Sequence, residues 1–515
     1  MFYVARTLQQ LFFTATVPWE NKAAIQNMIG ITKTRLLFLT ILIEGYVVLA
    51  CELLAMRQLT PFVGSGVEIM AIVISGVLLP LAIGYHYGGT GYSRSFSRSK
   101  RHGRERLSIR RLLLRNILAA FLILSLGLSY LFLEHYFGWL AGLGIRHRLW
   151  QTALYAACFL VLPVFLLGQT VPLISHYFSR RNLSEITGTM LFFSTAGSFL
   201  GSIFSTLVLM STIGVHNTVI VTLGLLFGLC LLLERPRRAA PTITLAAAGM
   251  AFVVYANSDI SLRARHIVSD NAYNIIRVVP KPERDGTLLM INRSPSSLLT
   301  RDPDKRFPYL KFIEANFIET MEKTGTPREI LIIGAGGFTI GIGDEFNRYT
   351  FVDIDPDLKK VAESSFLPDK LPPTKTFVPA SARAFLVQDR HQYDLVIVDV
   401  AQQRYSIPME CMTLEFLQGL KAHLKKDGIL IVDMLSSPDF RDKFSVRYDR
   451  TFSQVFPVHS REIIADPLFN PWSKDDRSDL DRLLRNNLYI YFNDELMQDT
   501  AVYTDDKNTY SLDRP

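Results

Sequence analysis

Three glycines and two acidic residues in the second half of the chain stand where a nucleoside could bind. Gly334, Gly336 and Gly337 follow an apolar run in ILIIGAGGFT, and Asp353 comes 19 residues after the first of them in TFVDIDP. Glycine lets the backbone turn sharply and approach a ligand, and a carboxylate ending the next strand can accept both ribose hydroxyls. Asp399 ends a further apolar run, LVIVDV. These residues predict a nucleoside site at the carboxyl ends of neighbouring strands.

The spacing of the glycines excludes two common nucleotide motifs. The dinucleotide fingerprint G-x-G-x-x-G fails because Thr339 occupies the third glycine position, and no G-K-[ST] follows for a P-loop. What remains is the looser turn of proteins that bind S-adenosylmethionine-like nucleosides, which carry no pyrophosphate. A turn with a purely structural role is the alternative interpretation.

The elements that would position these residues alternate between strand and helix from residue 329 onward. Strands are predicted at 329–333, 349–354, 375–379, 394–399, 428–434, roughly 457–464, and 487–492. Runs such as ILII, LVIVDV and ILIVDM are typical of a parallel sheet that is covered on both faces. Residues 326–515 therefore predict a doubly wound α/β domain, Rossmann-like and of the methyltransferase type. Residues 258–325 predict a small β-hairpin region (274–292) and a connecting helix (301–321).

The first half of the chain predicts a helical membrane domain. Its apolar runs are close to the roughly 20 residues that cross a bilayer as a helix. Six spans are predicted at 36–56, 66–88, 112–133, 149–174, 187–213 and 215–234, and a weaker, Ala-rich seventh at 239–257. We therefore expect an N-terminal α-helical transmembrane bundle of six or seven helices over 36–257, preceded by a cytoplasmic or interfacial segment over 1–35.

The charge of the chain differs between its halves. Residues 1–257 carry 21 Lys/Arg and 8 Asp/Glu, whereas residues 258–515 carry 34 and 39. The basic residues lie between apolar spans, most densely at 89–111, which indicates cytoplasmic loops and excludes a nucleic-acid partner. Six spans would leave the second half in the cytoplasm and seven would place it outside. We expect a multi-pass protein of the inner membrane, in contact with the lipid bilayer, whose C-terminal domain is cytoplasmic because adenosine cofactors are supplied there.

Other chemistry-bearing residues give weaker indications. The 4 cysteines and 10 histidines show no CxxC, Cys/His cluster or triad spacing, so no metal site is expected. Glu44 and Glu52 lie inside the first span, where they either line a polar cavity for a proton or cation or hydrogen-bond to neighbouring helices. The small-residue stretch at 194–202 predicts close helix packing.

The second half resembles the spermidine synthase (polyamine aminopropyltransferase) family in the motifs ILIIGAGGFT, YTFVDIDPDLKKVAESSF, VPASARAFLV and YDLVIVDVAQQRYSIPMECM. The first half, with ACELLAMRQLTPFVGSGVE and LAIGYHYGG, resembles the bacterial members that carry a multi-span N-terminal region. The resemblance implies transfer of an aminopropyl group from decarboxylated S-adenosylmethionine, as a co-substrate, to a polyamine amine. It also implies a homodimer and no tightly bound cofactor.

Some residues match the family's site positions. Gly334, Gly336 and Gly337 match the nucleoside turn, Asp353 matches the ribose-binding acid, and Asp399 matches the first acid of the D-x-x-D active-site loop. The resemblance therefore implies that about half of the nucleoside pocket is kept.

Other positions depart from the family pattern. Phe338 replaces an aspartate that holds the donor's amine, and Ser381, with Ala382 beside it, replaces the aspartate that recognises adenine. Gln402 stands at the catalytic position of the second loop acid, the proton acceptor. Tyr309 matches the tyrosine of a Tyr-His-Glu stretch whose other two members are replaced.

These departures leave three functions open. Aminopropyl transfer to an altered acceptor would use Asp399 and Gln402, although glutamine cannot act as a carboxylate base and Lys311 would repel a polyamine. A methyltransferase would use S-adenosylmethionine itself, and a degenerate domain would only bind a nucleoside or serve as a scaffold. Asp394 and Asp433 flank apolar strands and are not expected to take part in chemistry.

Overall fold

Apolar helices make up the first part of the chain. The computed structural model describes residues 22–90, 102–178, 183–234, 240–323, 325–400, 409–464 and 485–494. The helices of this part are α1 (Lys22–Val63), α2 (Val67–Thr90), α3 (His102–Gly127), α4 (Tyr130–Gly142), α5 (Arg148–Ala156), α6 (Leu162–Gly168), α7 (Thr170–Ser175), α8 (Leu183–Ile203), α9 (Met210–Leu233), α10 (Ala240–Ala256) and α11 (Asp259–Arg263). One-turn π-helical segments join α5 to α6 and α8 to α9.

Within the described residues, fewer single helices reach the length and hydropathy of a membrane span than the six or seven predicted spans. In the described ranges, four are long and apolar enough: Thr34–Val63, Val67–Thr90, Arg148–Ser175 and Ser184–Leu233. The pair α3 and α4, bent by 70°, would make a fifth. The last two predicted spans fall in the stretch Ser184–Leu233, which is interrupted by a non-helical backbone at Gly214, the residue between the two predicted spans. The predicted seventh span forms α10, which is shorter than the candidate spans.

Close packing of α1 against α8 confirms the prediction from the small residues at 194–202. A Cβ atom added to Gly197 would lie 2.1 Å from the carbonyl oxygen of Leu42, and one added to Gly201 would lie 2.2 Å from that of Tyr46. Because only glycine fits at such separations, the two backbones approach closely there. Glu44 and Glu52, on α1, are both buried.

A small antiparallel sheet follows the helices. Its strands are β1 (Ile267–Asp270), β2 (Ile275–Lys281), β3 (Gly286–Ile291) and β4 (Ser294–Thr300), paired in that order. The predicted hairpin is the pair β2 and β3, and it gains a strand on each side. The predicted connecting helix forms as α12 (Pro308–Ile313), a π-helical turn, and α13 (Glu319–Glu322).

A seven-stranded mixed sheet forms the rest of the described chain, and every strand predicted from residue 329 onward is present in it. The strands are β5 (Glu329–Ile333), β6 (Arg348–Asp353), β7 (Lys375–Pro379), β8 (Tyr393–Val398), β9 (Leu424–Ser436), β10 (Ser460–Ile464) and β11 (Arg485–Phe492). Their order is β10-β11-β9-β8-β5-β6-β7, and β11 pairs antiparallel with both β10 and β9, while the other four pairings are parallel.

Helices cover both faces of this sheet, as the apolar runs predict. On β5, Ile330 and Ile332 face one hydrophobic core, while Leu331 and Ile333 face the other. The first core includes α12 and α14 (Leu358–Ser365), and the second includes α15 (Ala382–Gln388), α16 (Leu414–Ala422) and α17 (Lys443–Val455). The fold is therefore doubly wound α/β.

Buried charged contacts join the helical part to the small sheet. Arg57 on α1 donates from Nε to the carbonyl oxygen of Asn271 (2.8 Å) and from Nη2 to Oδ1 of Asp270 (3.2 Å). Arg277 on β2 donates to the Tyr130 hydroxyl (2.6 Å) and to Oε1 of Glu134 (3.0 Å) on α4. Since Arg57 and Asp270 are almost fully buried, each charge depends on the other for compensation.

Candidate active site

The carboxyl ends of four neighbouring strands bring the candidate residues into one row. Ile333 on β5 pairs with Val352 on β6 and with Val398 on β8, and Val398 pairs with Val432 on β9. The next residues of the four strands are Gly334, Asp353, Asp399 and Asp433. Strand order reverses at β5, and ligands of open α/β sheets bind in the crevice at such a switch point.

The glycine turn lies close to the end of β8 and to the small sheet. Gly334 has a φ of +94°, and a Cβ atom added to it would lie 1.9 Å from the carbonyl oxygen of Asp399. Gly336 has a φ of +50°, and its added Cβ would lie 2.8 Å from Oγ of Ser297 on β4. Gly337 donates its backbone N–H to the same Oγ at 2.8 Å. The turn is therefore held from two sides by contacts that admit no side chain at these positions.

Asp353 holds the glycine turn from the neighbouring strand. Its Oδ2 accepts the backbone N–H of Ala335 (3.1 Å), and its Oδ1 accepts that of Asp355 (3.0 Å). A carboxylate offers about four acceptor positions, so two remain for a ligand. Burial raises the pKa of Asp353 to about 6, and the backbone hydrogen bonds oppose that rise. The carboxylate is therefore ionised at neutral pH and can accept further hydroxyl groups.

A hydrogen-bonded chain connects Asp353 to the helical part. The buried Asp355, which donates its backbone N–H to Asp353, accepts from the side-chain amide of Asn271 (2.7 Å) at Oδ1 and from that of Asn274 (3.0 Å) at Oδ2. Asn271 in turn accepts from Arg57 on α1. The residue beside the candidate ribose-binding acid is thus anchored by the first long helix.

Asp399 ends β8 in a buried, hydrogen-bonded environment. The Tyr309 hydroxyl, on α12, donates to its Oδ2 at 3.0 Å. Burial raises the pKa of Asp399 to about 6, while the tyrosine hydroxyl favours the ionised form. Burial and the Asp399 charge together raise the pKa of Tyr309 well above its usual range, so its hydroxyl remains a donor.

Asp433 is the residue that the sequence interpretation missed. Only 4% of it is exposed, Asn486 on β11 donates to its Oδ2 at 2.7 Å, and its Oδ1 has no hydrogen-bond partner among the described residues. Burial and the charge of Asp399 raise the pKa of Asp433 well above its usual range. A signal was present in the sequence, because both LVIVDV and ILIVDM end an apolar strand with aspartate.

Two residues expected at the nucleoside site have structural contacts instead. Phe338, with a φ of +59°, is fully buried and packs edge-on against Phe351 and Phe377, so it lines the core. Ser381 caps α15: its Oγ accepts the backbone N–H of Ala384 at 3.3 Å, and Ala382 is the first residue of that helix. Both Ser381 and Ala382 lie past the end of β7, which neighbours the Asp353 strand β6 and is separated from β8 by two strands.

Lys311 and Asp394 both form ion pairs. Lys311 pairs with Asp304 at 2.9 Å on the surface. Asp394 accepts from Arg328 and Lys425 at the opposite end of β8, as expected for a structural residue. Gln402 lies in 401–408, outside the described residues. Within the part of the chain that the structure describes, no group of His, Cys, Asp or Glu could hold a metal ion.

Part of the chain that contains this site is similar to known proteins. Residues 316–473 match the spermine/spermidine synthase domain. A polyamine aminopropyltransferase of Vibrio vulnificus is 28% identical over 166 residues, which cover 30% of this chain and 54% of that protein. An N-terminal histidine N-methyltransferase of Emericella nidulans is 33% identical over 115 residues, or 21% of this chain and 19% of that one. The crystal structure of a probable spermidine synthase from Corynebacterium glutamicum matches with a TM-score of 0.34 and 21% identity, covering 46% of this chain and 80% of that one.

The sheet order and the row of strand-end residues define a doubly wound α/β domain with a candidate ligand site at its switch point. Residues 316–473 of this domain and of the helix before it are similar to the spermine/spermidine synthase domain. The chain spans about half the length of the Vibrio vulnificus relative.

Proposed function

We propose that this protein is a membrane-bound aminopropyltransferase that takes the aminopropyl group of decarboxylated S-adenosylmethionine and transfers it to an amine. The observation that carries the proposal is the row formed by the glycine turn, Asp353 and Asp399 at the switch point of a spermine/spermidine synthase domain. The departures at Phe338 and Ser381 do not oppose it, because neither side chain occupies the row.

Each residue of the row has a distinct task in this proposal. The nucleoside lies over the glycine turn, with its ribose hydroxyls donating to Asp353. The amine lies near Asp399, and the carboxylates attract the cationic substrates. The amine nitrogen attacks the aminopropyl carbon next to the sulfonium, and the carbon–sulfur bond breaks with its electron pair on sulfur. Methylthioadenosine leaves as a neutral thioether, and much of the rate enhancement comes from alignment of the reacting atoms.

Binding of the donor tests this proposal directly. The full chain in detergent is titrated calorimetrically with decarboxylated S-adenosylmethionine, S-adenosylmethionine and methylthioadenosine, and mass spectrometry follows the products formed with putrescine. We expect the decarboxylated donor to bind in preference to the carboxylated one, because the acidic groups of the site row repel the carboxylate that only S-adenosylmethionine carries. Binding of none of the three nucleosides would leave the scaffold interpretation instead.

A methyltransferase is the second candidate, and the similarity to the Emericella nidulans N-methyltransferase favours it. In that case S-adenosylmethionine would bind more tightly than its decarboxylated form in the same titration. The product assay would then show a methylated amine rather than an aminopropylated one.

We also propose that the helical part crosses the inner membrane and leaves the α/β domain in the cytoplasm. The exposed side of α2 supports this, since Leu78, Leu79 and Ile83 are 58%, 64% and 48% exposed. Such an outward apolar surface on a long apolar helix suits lipid better than water.

The side of the membrane is tested with C-terminal reporter fusions. We expect a fused fluorescent protein to be fluorescent and a fused alkaline phosphatase to be inactive, because each of these reports a cytoplasmic location. Active phosphatase with a dark fluorescent protein would place the α/β domain outside and remove its supply of donor.

A further inference from the structure

We propose that Glu44 is a proton-binding group of the helical part, which takes up and releases a proton through a layer of buried polar side chains inside the bundle. The inference adds a site to the helical part and does not depend on the chemistry proposed for the α/β domain. It assigns a task to one of the two acids that lie inside the first predicted span.

The carboxyl group of Glu44 is buried without the partners that a buried carboxylate needs. Glu44 is 1% exposed, and its Oε2 has no hydrogen-bond partner among the described residues. No lysine, arginine or histidine in the described part of the chain forms an ion pair with it. An ionised carboxylate is strongly disfavoured in such surroundings, whereas a bound proton neutralises it. The resting form of Glu44 is therefore the carboxylic acid.

Five apolar helices each carry a buried or half-buried polar residue at one level of the bundle. These residues lie five to ten positions from the helix ends at 34, 90, 109, 175 and 184, and the alternating direction of the helices places those ends at one face. A spread of five positions is about 8 Å along a helix, so the side chains form one layer, called the polar layer below. Its members are Glu44, Tyr85, Asn116, Gln169 and Ser194.

Contacts between three helices bring members of the polar layer to Glu44. A Cβ atom added to Gly45, the residue after Glu44 on α1, would lie 2.3 Å from the carbonyl oxygen of Ser194 on α8. Tyr85 on α2 interacts with both Glu44 and Ser194. The carboxyl group is therefore surrounded by hydroxyl groups from two neighbouring helices, and a hydroxyl group can both donate and accept a hydrogen bond.

The polar layer continues one turn along α2 from Tyr85. A Cβ atom added to Gly88 would lie 3.1 Å from the Cα atom of Gln169, and Oε1 of Gln169 accepts from Nδ2 of Asn116 on α3 at 3.0 Å. The next residue, Thr170, is fully buried, and its hydroxyl has no hydrogen-bond partner among the described residues. A second unsatisfied polar group at this level is unfavourable unless it serves an exchangeable ligand, such as a proton or the water molecule that delivers it.

Glu44 is the member of the polar layer that titrates. On the elements packed around it, α2 contributes Tyr85, α8 contributes Ser194, and the segment between α6 and α7 contributes Gln169 and Thr170. Only the tyrosine among these neighbours is ionisable, and a tyrosine hydroxyl ordinarily keeps its proton up to about pH 10. Proton release from the layer near neutral pH must therefore come from the glutamic acid.

Infrared difference spectroscopy tests whether Glu44 exchanges a proton. The full chain in lipid bilayers is titrated from pH 6 to pH 10, in H2O and in D2O, and the C=O stretch of protonated carboxyl groups is followed above the amide I band. We expect a wild-type band that diminishes as the pH rises and shifts in D2O. Glu44→Gln should remove one carboxyl group from this band, and Glu44→Asp should keep a titrating band at a changed frequency.

Glu185→Gln is the matched control, since it changes an exposed glutamate in the first turn of α8. Its spectra should equal those of the wild type, and protonated carboxyl groups of the α/β domain cancel when the two glutamine variants are compared. A band that Glu44→Gln leaves unchanged would show that Glu44 is ionised and would overturn the inference. A Glu44 band that neither pH nor D2O alters would overturn it too, because the proton would be permanently enclosed. If Glu44→Gln does not fold, an unchanged band in Glu44→Asp has the same consequence.

Discussion

Replacement of Asp353 by asparagine is expected to weaken binding of the decarboxylated donor about 1000-fold, because charge-assisted hydrogen bonds to two ribose hydroxyls are lost. In the wild type, the backbone N–H groups of Ala335 and Asp355 each donate to one oxygen of the carboxylate. Asparagine keeps one side-chain oxygen and can therefore accept from one of these two groups. The glycine turn should therefore persist with a loss of stability of about 1 kcal/mol. Calorimetric titration of the full chain with the donor measures the change in affinity.

The pH dependence of donor binding gives a second measurement of the same role. Burial raises the pKa of Asp353 to about 6, so the carboxylate is ionised at pH 7.5 and becomes protonated as the pH falls through 6. A protonated carboxyl group accepts ribose hydroxyls poorly, and wild-type affinity should fall over that range. Asp353→Asn has no charge to lose, so its weak binding should not follow this titration.

An exposed aspartate on the same domain supplies the control. Asp369→Asn alters a surface residue between α14 and β7 and should bind the donor like the wild type. If Asp353→Asn bound the donor within tenfold of that control, the carboxylate would serve only to hold Ala335 and Asp355. The nucleoside would then have to bind elsewhere in the domain.

The strands of the large sheet were predictable because their apolar runs are buried on both faces. The residues of ILII on β5 alternate between two hydrophobic cores. Because every position is buried, the run is apolar throughout and can be recognised as a strand from its composition. By contrast, β4 has the sequence SPSSLLT, whose serines and proline give no strand pattern. One of those serines, Ser297, accepts a hydrogen bond from the glycine turn. Local hydropathy could not reveal β4, because its pairing with β3 and its contact with Gly337 are both tertiary.

Residues of the candidate site were predictable only where the sequence of a single strand marks them. Gly334, Asp353 and Asp399 could be located because each directly follows an apolar run. Asp433 satisfies the same rule, but its meaning depends on the register between β8 and β9, which is not local information. Phe338 was placed near the donor by alignment of motifs, whereas its positive φ directs the ring into the core. Side-chain direction after a glycine turn cannot be inferred from residue order alone.

The boundary between the last two predicted spans coincides with a break in the helix. Hydropathy divides residues 187–234 into two runs, and the backbone leaves helical geometry at Gly214, the residue between them. A single glycine with φ of +81° can either end one span or kink a continuous helix. Which of these occurs depends on packing against other helices, which composition does not encode.

The substitution Gly334→Ala should destabilise the α/β domain more than any other change considered, by more than about 4 kcal/mol. Its φ of +94° is unfavourable for any residue with a Cβ, and that atom would lie 1.9 Å from the carbonyl oxygen of Asp399. Relief would require β5 and β8 to separate at the switch point, which breaks the hydrogen bond from the Asp399 backbone N–H to Ile333 (2.8 Å). Gly343 provides a matched control in the same connection, since nothing lies within 4 Å of its added Cβ.

Thermal unfolding of the full chain, together with hydrogen exchange of β5 and β8, distinguishes the two glycine variants. Gly343→Ala should exchange and bind the donor as the wild type does, while Gly334→Ala should lose protection in both strands and bind no donor. The two losses should occur together, because the bend that places the backbone beneath the nucleoside is also the point where β5 meets β8. Equal stability and donor affinity in the two variants would mean that the close approach at Gly334 is not needed, and the proposed nucleoside site would lose its geometric basis.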